Sequence, residues 1–211
     1  MKTSQRTKLF LIILALSFSF VSIAATSVCE KFPAKLIGGT GPLPYNYRII
    51  DGHIHAGGHP LNPNGFMNTD KQVLSILNYL KSKGVVWIID LENTKGIQGI
   101  YSALIEKAKM KRLHIPMSSS KVPTEEEWKN MKELMKGKVY IHCKWGADRT
   151  GAVIARYLVE EKGYSVREAF NAVIGGGSHA GVLGGFKKDL YNKNLLKFFC
   201  KDPKLARELI P

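Results

Sequence analysis

The residues best suited to chemistry lie together in the stretch from His142 to Gly151, which reads His-Cys-Lys-Trp-Gly-Ala-Asp-Arg-Thr-Gly. A β-branched and aromatic run precedes Cys143 and a helical pattern begins at Arg149, so the stretch predicts a strand, a loop and a helix. Backbone N–H groups that converge at a helix N-terminus bind anions, and the helix dipole adds roughly half a positive charge. We therefore expect an anion site here.

The side chains of this stretch suit the transfer of a phosphoryl group. Cys143 lies at the mouth of the predicted loop, where converging N–H groups favour the nucleophilic thiolate over the thiol. Arg149 carries a planar guanidinium that binds two oxygens of one phosphoryl group. Thr150 is placed to hydrogen-bond the sulfur, and the imidazole of His142 is placed to support the loop. The alternative is a structural cysteine that ends a buried strand beside an ordinary helix cap.

The pattern His142-Cys143-x5-Arg149-Thr150-Gly151 resembles the signature of the cysteine-dependent protein tyrosine and dual-specificity phosphatases, and is similar to their bacterial dual-specificity-like branch. The resemblance extends from about residue 47 to 199, but only the loop motif is specific. It implies hydrolysis of a phosphate monoester through a cysteinyl-phosphate, without metal or cofactor. It also implies that phosphate is bound by the loop residues Lys144, Trp145, Gly146 and Ala147 and by Thr150.

The sequence departs from the family pattern at the general acid. Many relatives carry an aspartate after the strand that corresponds to residues 113–117, whereas this chain continues with Ser118-Ser-Ser-Lys-Val-Pro123. Asp148 is the first substitute, because a loop carboxylate next to Arg149 can reach the leaving oxygen. The alternative is that Asp148 pairs with a lysine or braces the loop. Residues 125–127, all glutamates, are the next candidates, although acidic residues in a first helical turn need no catalytic explanation.

The substrate is open between two classes. Lys144 resembles the extra loop cation of phosphoinositide phosphatases, and phosphoproteins, phosphotyrosine proteins above all, are the rival. Trp145 forms either a pocket wall or packing beneath the loop, and the wall is favoured. A binding module that captures phosphate with little turnover is the alternative from another class, which the missing aspartate favours and the intact Cys143 and Arg149 oppose. A sulfurtransferase fits the Arg149-Thr150-Gly151 end of the motif less well.

The N-terminus has the pattern of a secretory signal peptide over residues 1–25. Basic residues precede an apolar run that ends in small residues, with cleavage expected after Ala24 or Ala25. An uncleaved membrane anchor is the alternative, but the run is short for a span of about 20 apolar residues. We expect a periplasmic or secreted protein, with an irregular lead-in over 26–44 and a single phosphatase domain over 45–211, active as a monomer.

The chain is strongly basic. Its formal net charge of +14 includes Lys2, Arg6 and Lys8, and loss of these three with the signal peptide leaves +11. Such a charge suits phosphorylated substrates or an anionic membrane surface. It also suits nucleic acid, but we find no nucleic-acid motif and expect no such partner.

Strand and helix patterns alternate along the chain, which predicts an α/β fold with a central, mostly parallel sheet flanked by helices. Sites in such sheets lie beyond the carboxyl ends of the strands, where Cys143 falls. The predicted strands are 47–50, 53–56, 85–91, 112–117 and the strand ending at 143, and the predicted helices are 69–83, 97–111, 124–135, 149–162, 165–174 and 190–199.

His53 and His55 share a strand face and His59 follows, but no carboxylate or cysteine stands at ligand spacing, so no metal is predicted.

Three cysteines remain after processing, and Cys143 must stay free to act as the nucleophile. In an oxidising compartment Cys29 and Cys200 are then left to form a disulfide between the two ends of the domain. The intact mass measured without reductant is expected to be lower by two hydrogens than the fully reduced mass. Equal masses would leave two unpaired thiols.

Overall fold

A mixed sheet of six strands in the order β1-β2-β3-β6-β4-β5 carries the predicted loop at its centre. The structure is a computed structural model that describes residues 30–31 and 38–211, and the side chains of 38–189 and 191–211. The predicted signal peptide, Cys29 and part of the lead-in lie outside the described residues. The strands are β1 (Glu30–Lys31), β2 (Arg48–Ile50), β3 (Ile54–Gly57), β4 (Trp87–Asp90), β5 (Lys111–His114) and β6 (Val139–His142).

The four strands β3, β6, β4 and β5 are parallel, whereas β1 and β2 add antiparallel to one edge. The predicted α/β class with a mostly parallel sheet is therefore confirmed. The predicted strands 47–50 and 53–56 pair as the antiparallel hairpin of β2 and β3, and Asp51 and Gly52 between them both have positive φ, 52° and 70°. Asp and Gly adopt such angles more readily than other residues, which is why this dipeptide marks the turn.

Helices cover both faces of the sheet. They are α1 (Asp70–Ser82), α2 (Gln98–Lys107), α3 (Glu125–Leu134), α4 (Asp148–Lys162), α5 (Val166–Val173), α6 (Lys193–Phe199) and α7 (Pro203–Leu209). Successive residues of a strand point to opposite faces of the sheet, where they join two separate hydrophobic cores. Ile88 of β4 packs in the core with α1 and α2, and Ile89 packs in the core with α3 to α6. A sheet covered on both sides explains why β4 and β6 are apolar up to their last residues, Asp90 and His142.

Local signals set several helix boundaries. Thr69, Thr124 and Ser165 each form a capping box with the residue three positions on. Gly163 ends α4 in the left-handed conformation with φ 71°. None of the helices in the described residues is long and apolar enough to span a membrane.

Three predicted boundaries were wrong. Helix α2 ends at Lys107 instead of Lys111, because Lys109 takes a φ of 54° that turns the chain toward β5. The strand predicted over 112–117 is therefore Lys111–His114. The helix predicted from Leu190 begins as one 3₁₀ turn and becomes α6 only at Lys193, and the sequence analysis missed α7.

Three buried histidines give the fold a pH dependence. Burial lowers the pKa of His55 from 6.5 to about 4 and the pKa of His59 and His142 well below 6.5. Below pH 6.5 the unfolded chain binds protons that the folded chain does not, so stability falls as the pH decreases toward 4. His55 alone contributes up to about 3 kcal/mol of this loss. Urea titrations across this range are expected to show the decline, with a shallower slope in His55→Gln. An equal slope in the variant would contradict the assignment.

Candidate active site

Cys143 follows directly after β6, at the carboxyl edge of the sheet between β3 and β4. Helix α4 begins at Asp148, so residues 143–147 form the loop between the central strand and a helix N-terminus. The cysteine is a free thiol and is only 3% exposed. The strand, loop and helix thus occur where the sequence predicted them, with the helix starting one residue earlier.

The hydrogen bonds of the loop leave its N–H groups available. The carbonyl oxygens of Lys144, Gly146 and Ala147 accept from His59 N at 2.9 Å, from Arg48 Nη1 at 2.7 Å and from Gly151 N at 2.6 Å. Within the described residues, no protein acceptor takes the N–H groups of positions 144–147. Nearly all buried backbone donors in proteins are paired. A loop with bound carbonyls and four available N–H groups beside a helix N-terminus is suited to an anion.

Close backbone contact fixes the shape of the loop. Gly146 has a φ of 69°, and a Cβ at this position would lie 2.2 Å from the carbonyl carbon of Gly57. Only glycine satisfies both conditions. The buried guanidinium of Arg48 supports the same loop, because Nε donates to His179 O at 2.9 Å while Nη1 holds Gly146. Arg48 and the Gly57-Gly58 pair were not predicted as part of the site.

Arg149 is oriented by the ends of two neighbouring strands. Its Nη1 donates to Leu91 O at 3.0 Å and to Met117 O at 3.2 Å, and its Nη2 donates to Glu92 Oε2 at 2.9 Å. Within the described part of the chain, Nε has no acceptor and Nη2 has one, Glu92 Oε2. The guanidinium therefore keeps donors for phosphoryl oxygens, which arginine can bind two at a time.

Glu92 is another residue of the site that the sequence analysis did not predict. Its carboxylate is buried with 1% exposure, and Oε1 accepts from the N–H groups of Asn93 and Thr94 at 3.0 Å each. Burial lowers the pKa of Arg149, but the Cys143 sulfur and Glu92 outweigh burial and the pKa ends above its ordinary value. The sequence signal that pointed to Glu92 was an acidic residue just after a buried strand. That strand, β4, lies next to the strand that leads to Cys143.

A buried polar network lies behind the loop. His142 Nε2 is 3.0 Å from Tyr101 Oη and Nδ1 is 3.6 Å from Asp90 Oδ1. The supporting role of His142 in the loop stays a prediction. Burial keeps the pKa of this imidazole well below its usual value, so it is neutral. Asp90 also forms an ion pair with Arg112. The hydrogen bond predicted from Thr150 to the cysteine sulfur is not formed, and Thr150 Oγ1 has no partner among the described residues.

The potential ligand atoms of His59, Asp90 and His142 lie within 4.8 Å of one another, which raises the question of a metal. The chemistry of the donors opposes it. His59 Nδ1 accepts the N–H of Leu61 at 3.0 Å, so a neutral His59 carries its proton on Nε2 and offers no lone pair there. Asp90 is already neutralised by Arg112. The predicted candidates His53 and His55 are hydrogen-bonded to Asp51 O, Met135 O and Tyr47 Oη.

Asp148 braces the neighbouring loop. Its Oδ1 accepts from Lys187 N at 2.7 Å and from Asn192 Nδ2 at 2.9 Å. This geometry agrees with the bracing alternative, although the carboxylate also lines a cavity beside Cys143's loop. Of the three glutamates, Glu127 belongs to a capping box with Thr124. Glu125 accepts a hydrogen bond from Arg156, which lowers the pKa of Glu125. A general acid needs a raised pKa, so Glu125 does not suit the role.

The aromatic and cationic residues of the loop lie at its rim. Trp145 is 41% exposed and packs edge-on against Tyr45, with ring centroids 5.5 Å apart. It forms one wall of a cavity of about 260 Å³ beside the loop. Lys144 Nζ lies 5.3 Å from the Phe66 ring centroid and 6.0 Å from that of Trp145.

Cys200 lies far along the chain, at the end of α6. It is buried, and its thiol donates to Asp202 O at 3.3 Å. Its predicted partner Cys29 lies outside the described residues, so the disulfide stays a prediction.

Comparison with known proteins gives the same fold. The family described as "DSP-PTPase phosphatase fused to NAD+ Kinase" matches residues 68–178, just over half of the chain. No curated protein sequence matches significantly. The chain is similar to the crystal structure of P. aeruginosa TpbA, with a TM-score of 0.55 and 16% identity over 88% of this chain and 98% of that one. TpbA has also been crystallised as a Cys-to-Ser variant in complex with pTyr.

Two further structures are similar. Tk-PTP in its active form gives a TM-score of 0.53 and 19% identity over 72% of this chain and 94% of its own. The core catalytic domain of the PP-IP phosphatase SIW14 from S. cerevisiae gives 0.52 and 14% over 80% and 96%. At these identities the likeness shows the fold.

Loss of the Glu92 charge is expected to release Arg149. In Glu92→Gln the guanidinium keeps its carbonyl contacts but loses its charged partner, so its phosphoryl-binding edge is no longer held in place. We expect inorganic phosphate to bind about tenfold more weakly, which corresponds to about 1.4 kcal/mol. Calorimetric titration measures this, with the exposed Glu106→Gln as the matched control. Equal affinity in both variants would show that Glu92 does not position the arginine.

Proposed function

The chain belongs to the cysteine-dependent dual-specificity phosphatase superfamily, and from that premise we propose that it hydrolyses phosphate monoesters through a cysteinyl-phosphate at Cys143. The observation that carries the proposal is the loop itself, whose N–H groups at 144–147 have no protein acceptor in the described residues. The Nε of Arg149, which has no acceptor among the described residues, adds a charged donor next to this loop. Together these donors suit the equatorial oxygens of a phosphoryl group.

The reaction proceeds in two displacements. The Cys143 thiolate attacks phosphorus in line, so that an S–P bond forms as the P–O bond to the leaving group breaks. Water then attacks the cysteinyl-phosphate, which releases inorganic phosphate and restores the thiolate. Loop N–H groups and Arg149 stabilise the phosphoryl oxygens in both steps, and no step requires a metal.

The identity of the general acid is part of the proposal. Asp148 remains the first candidate, because it lines the cavity next to the loop, whereas Glu125 pairs with Arg156 and Glu127 belongs to a capping box. Its two hydrogen bonds from Lys187 N and Asn192 Nδ2 support the bracing alternative equally well. Both roles are compatible with one carboxylate, since only Oδ1 accepts these bonds.

We propose a phosphoprotein substrate of the tyrosine or dual-specificity type first. The pTyr complex of TpbA and the aromatic wall of Tyr45 and Trp145 support it. A phosphoinositide or inositol phosphate is the second candidate, supported by Lys144 in the loop and by the likeness to a PP-IP phosphatase. A pseudophosphatase that binds phosphate with little turnover is the third, and the built anion site with Cys143 and Arg149 opposes it.

Export through a signal peptide, a periplasmic or secreted location, a monomeric state and an association with anionic membranes are also proposals. The basic composition and the N-terminal sequence pattern support them.

The mechanism is tested by phosphate release from para-nitrophenyl phosphate, phosphopeptides, phosphoinositides and inositol phosphates. Cys143→Ser is expected to lose all turnover, because its hydroxyl is a far weaker nucleophile. Retained turnover in this variant would contradict the proposal.

Asp148→Asn separates the two roles of that residue, because the amide oxygen of asparagine can still accept from Lys187 N and Asn192 Nδ2. If Asp148 is the general acid, the rate on alkyl phosphates falls by about 10²–10⁴ and the rate on para-nitrophenyl phosphate falls much less, since its leaving group needs little protonation. Equal rates in Asp148→Asn and wild type on both substrates would remove the general-acid assignment.

A further inference from the structure

Asn46 is a buried polar residue that the proposed mechanism does not use. It is 3% exposed, lies just before β2 and has a φ of 55°. Its Nδ2 donates to Gly146 O at 3.4 Å and to Gly184 O at 3.2 Å, and its Oδ1 accepts from Leu183 N at 3.2 Å. One side chain therefore joins the phosphate-binding loop to a segment that follows α5.

That segment, residues 181–187, lines the cavity beside the loop, and we call it the lining segment. Four of its residues belong to the cavity lining: Leu183, Gly184, Gly185 and Lys187. Tyr45 and Trp145 line the same cavity, which has a volume of about 260 Å³. The position of the lining segment therefore determines the shape of the space next to the phosphate-binding loop.

Few hydrogen bonds hold the lining segment in place. At its C-terminal end, Phe186 N donates to Val173 O at 2.6 Å and Lys187 N donates to Asp148 Oδ1 at 2.7 Å. Among the described residues, the two bonds to Asn46 are the only hydrogen bonds that positions 181–185 form. The part of the segment that carries Leu183 therefore depends on the Asn46 amide.

The amide of Asn46 is itself fixed in position. A Cβ at Gly181, whose φ is 80°, would lie 2.3 Å from Asn46 Oδ1, so the backbone of the lining segment packs directly on the amide. The backbone oxygen of Asn46 accepts from Arg48 Nη1 at 3.2 Å, and the same nitrogen donates to Gly146 O. Asparagine also tolerates a positive φ better than most residues.

We propose that Asn46 is a positioning residue, which holds the lining segment against the phosphate-binding loop so that the cavity recognises the part of the substrate beyond its phosphate. This inference rests on the proposed function of Cys143. Without the amide, Arg48 and the backbone of His59 still hold the loop. The lining segment, in contrast, loses its fixed position and must be ordered when the substrate binds, which costs affinity.

The test measures binding to the Cys143→Ser chain, the parent, so that no turnover interferes. Asn46→Gly removes the amide and keeps the positive φ, because glycine adopts such angles freely. Calorimetric titration is expected to show a loss of about tenfold in affinity for a phosphotyrosine peptide, and of less than about twofold for inorganic phosphate.

Asn62→Gly is the matched control. Asn62 also has a positive φ, 79°, and its side chain bonds only to Asn64 N and Asn68 Oδ1 among the described residues. This variant is expected to bind both ligands as the parent does.

A conservative variant tests the amide without removing it. Asn46→Asp keeps an acceptor for Leu183 N, but it places a carboxylate against the carbonyl oxygens of Gly146 and Gly184. We expect it to lose at least as much affinity for the peptide as Asn46→Gly. A peptide affinity equal to that of the parent would contradict the role of the amide.

A double-mutant cycle separates this role from a merely structural one. Leu183 is 40% exposed, so its truncation leaves the core intact. Leu183→Ala is expected to weaken peptide binding about threefold in the parent and by less in Asn46→Gly, because the amide acts through the position of the lining segment. A structural role predicts additive losses and an equal fall for both ligands.

Three results would overturn the inference: peptide binding no tighter than phosphate binding in the parent, an equal fall for both ligands in Asn46→Gly, or additive losses in the cycle. With Cys143 intact, Asn46→Gly is expected to raise KM for the peptide by a larger factor than it lowers kcat, and the reverse would also overturn it.

Turnover of para-nitrophenyl phosphate by the chain with Cys143 intact is measured in parallel. Turnover without the selective loss of peptide affinity would reject the role of Asn46 and leave the proposed function standing. The selective loss without turnover would support the role of Asn46 and contradict the proposed hydrolysis.

Discussion

The phosphate-binding loop depends on being held by its carbonyl groups. Arg48 holds the oxygen of Gly146, and the backbone of His59 holds that of Lys144. Each bond uses an acceptor of the loop, so the N–H groups remain available on a helix N-terminus. The contact between Gly146 and Gly57 makes this arrangement rigid, because no side chain fits between the two backbones. A loop fixed before the anion arrives needs no reorganisation when charge develops during the reaction.

The charged side chains around the loop are paired. The buried carboxylates of Glu92 and Asp90 form ion pairs with Arg149 and Arg112. These two cations at the carboxyl edge of the sheet are therefore balanced by anions. Burial keeps His142 neutral, which adds no further charge beside the thiol. The remaining positive potential comes from the loop N–H groups, the helix dipole and one edge of Arg149. This distribution concentrates the attraction for an anion on the place that Cys143 occupies.

The sequence alone predicted the strand, loop and helix, because the residues that form them are contiguous. It also predicted the parallel sheet, since continuous apolar strands alternating with amphipathic helices allow few other packings. The supports of the loop could not be predicted in this way. The strand order brings these supports to the loop. It places β3, with Gly57, and β4, followed by Glu92, on either side of β6, and it places β2, with Arg48, next to β3. The predicted end of helix α2 was too late, because no Gly or Pro marks the true end. The helix instead ends before Lys109, which has a positive φ.

The central claim is that the Cys143 sulfur accepts the phosphoryl group. Acid quenching during turnover of an aryl phosphate, followed by mass spectrometry of the peptides, measures this directly. The account predicts that the peptide containing Cys143 gains the mass of one phosphoryl group, and that no such gain occurs in Cys143→Ser. Turnover at full rate with the phosphoryl group on another residue, or on none, would contradict it.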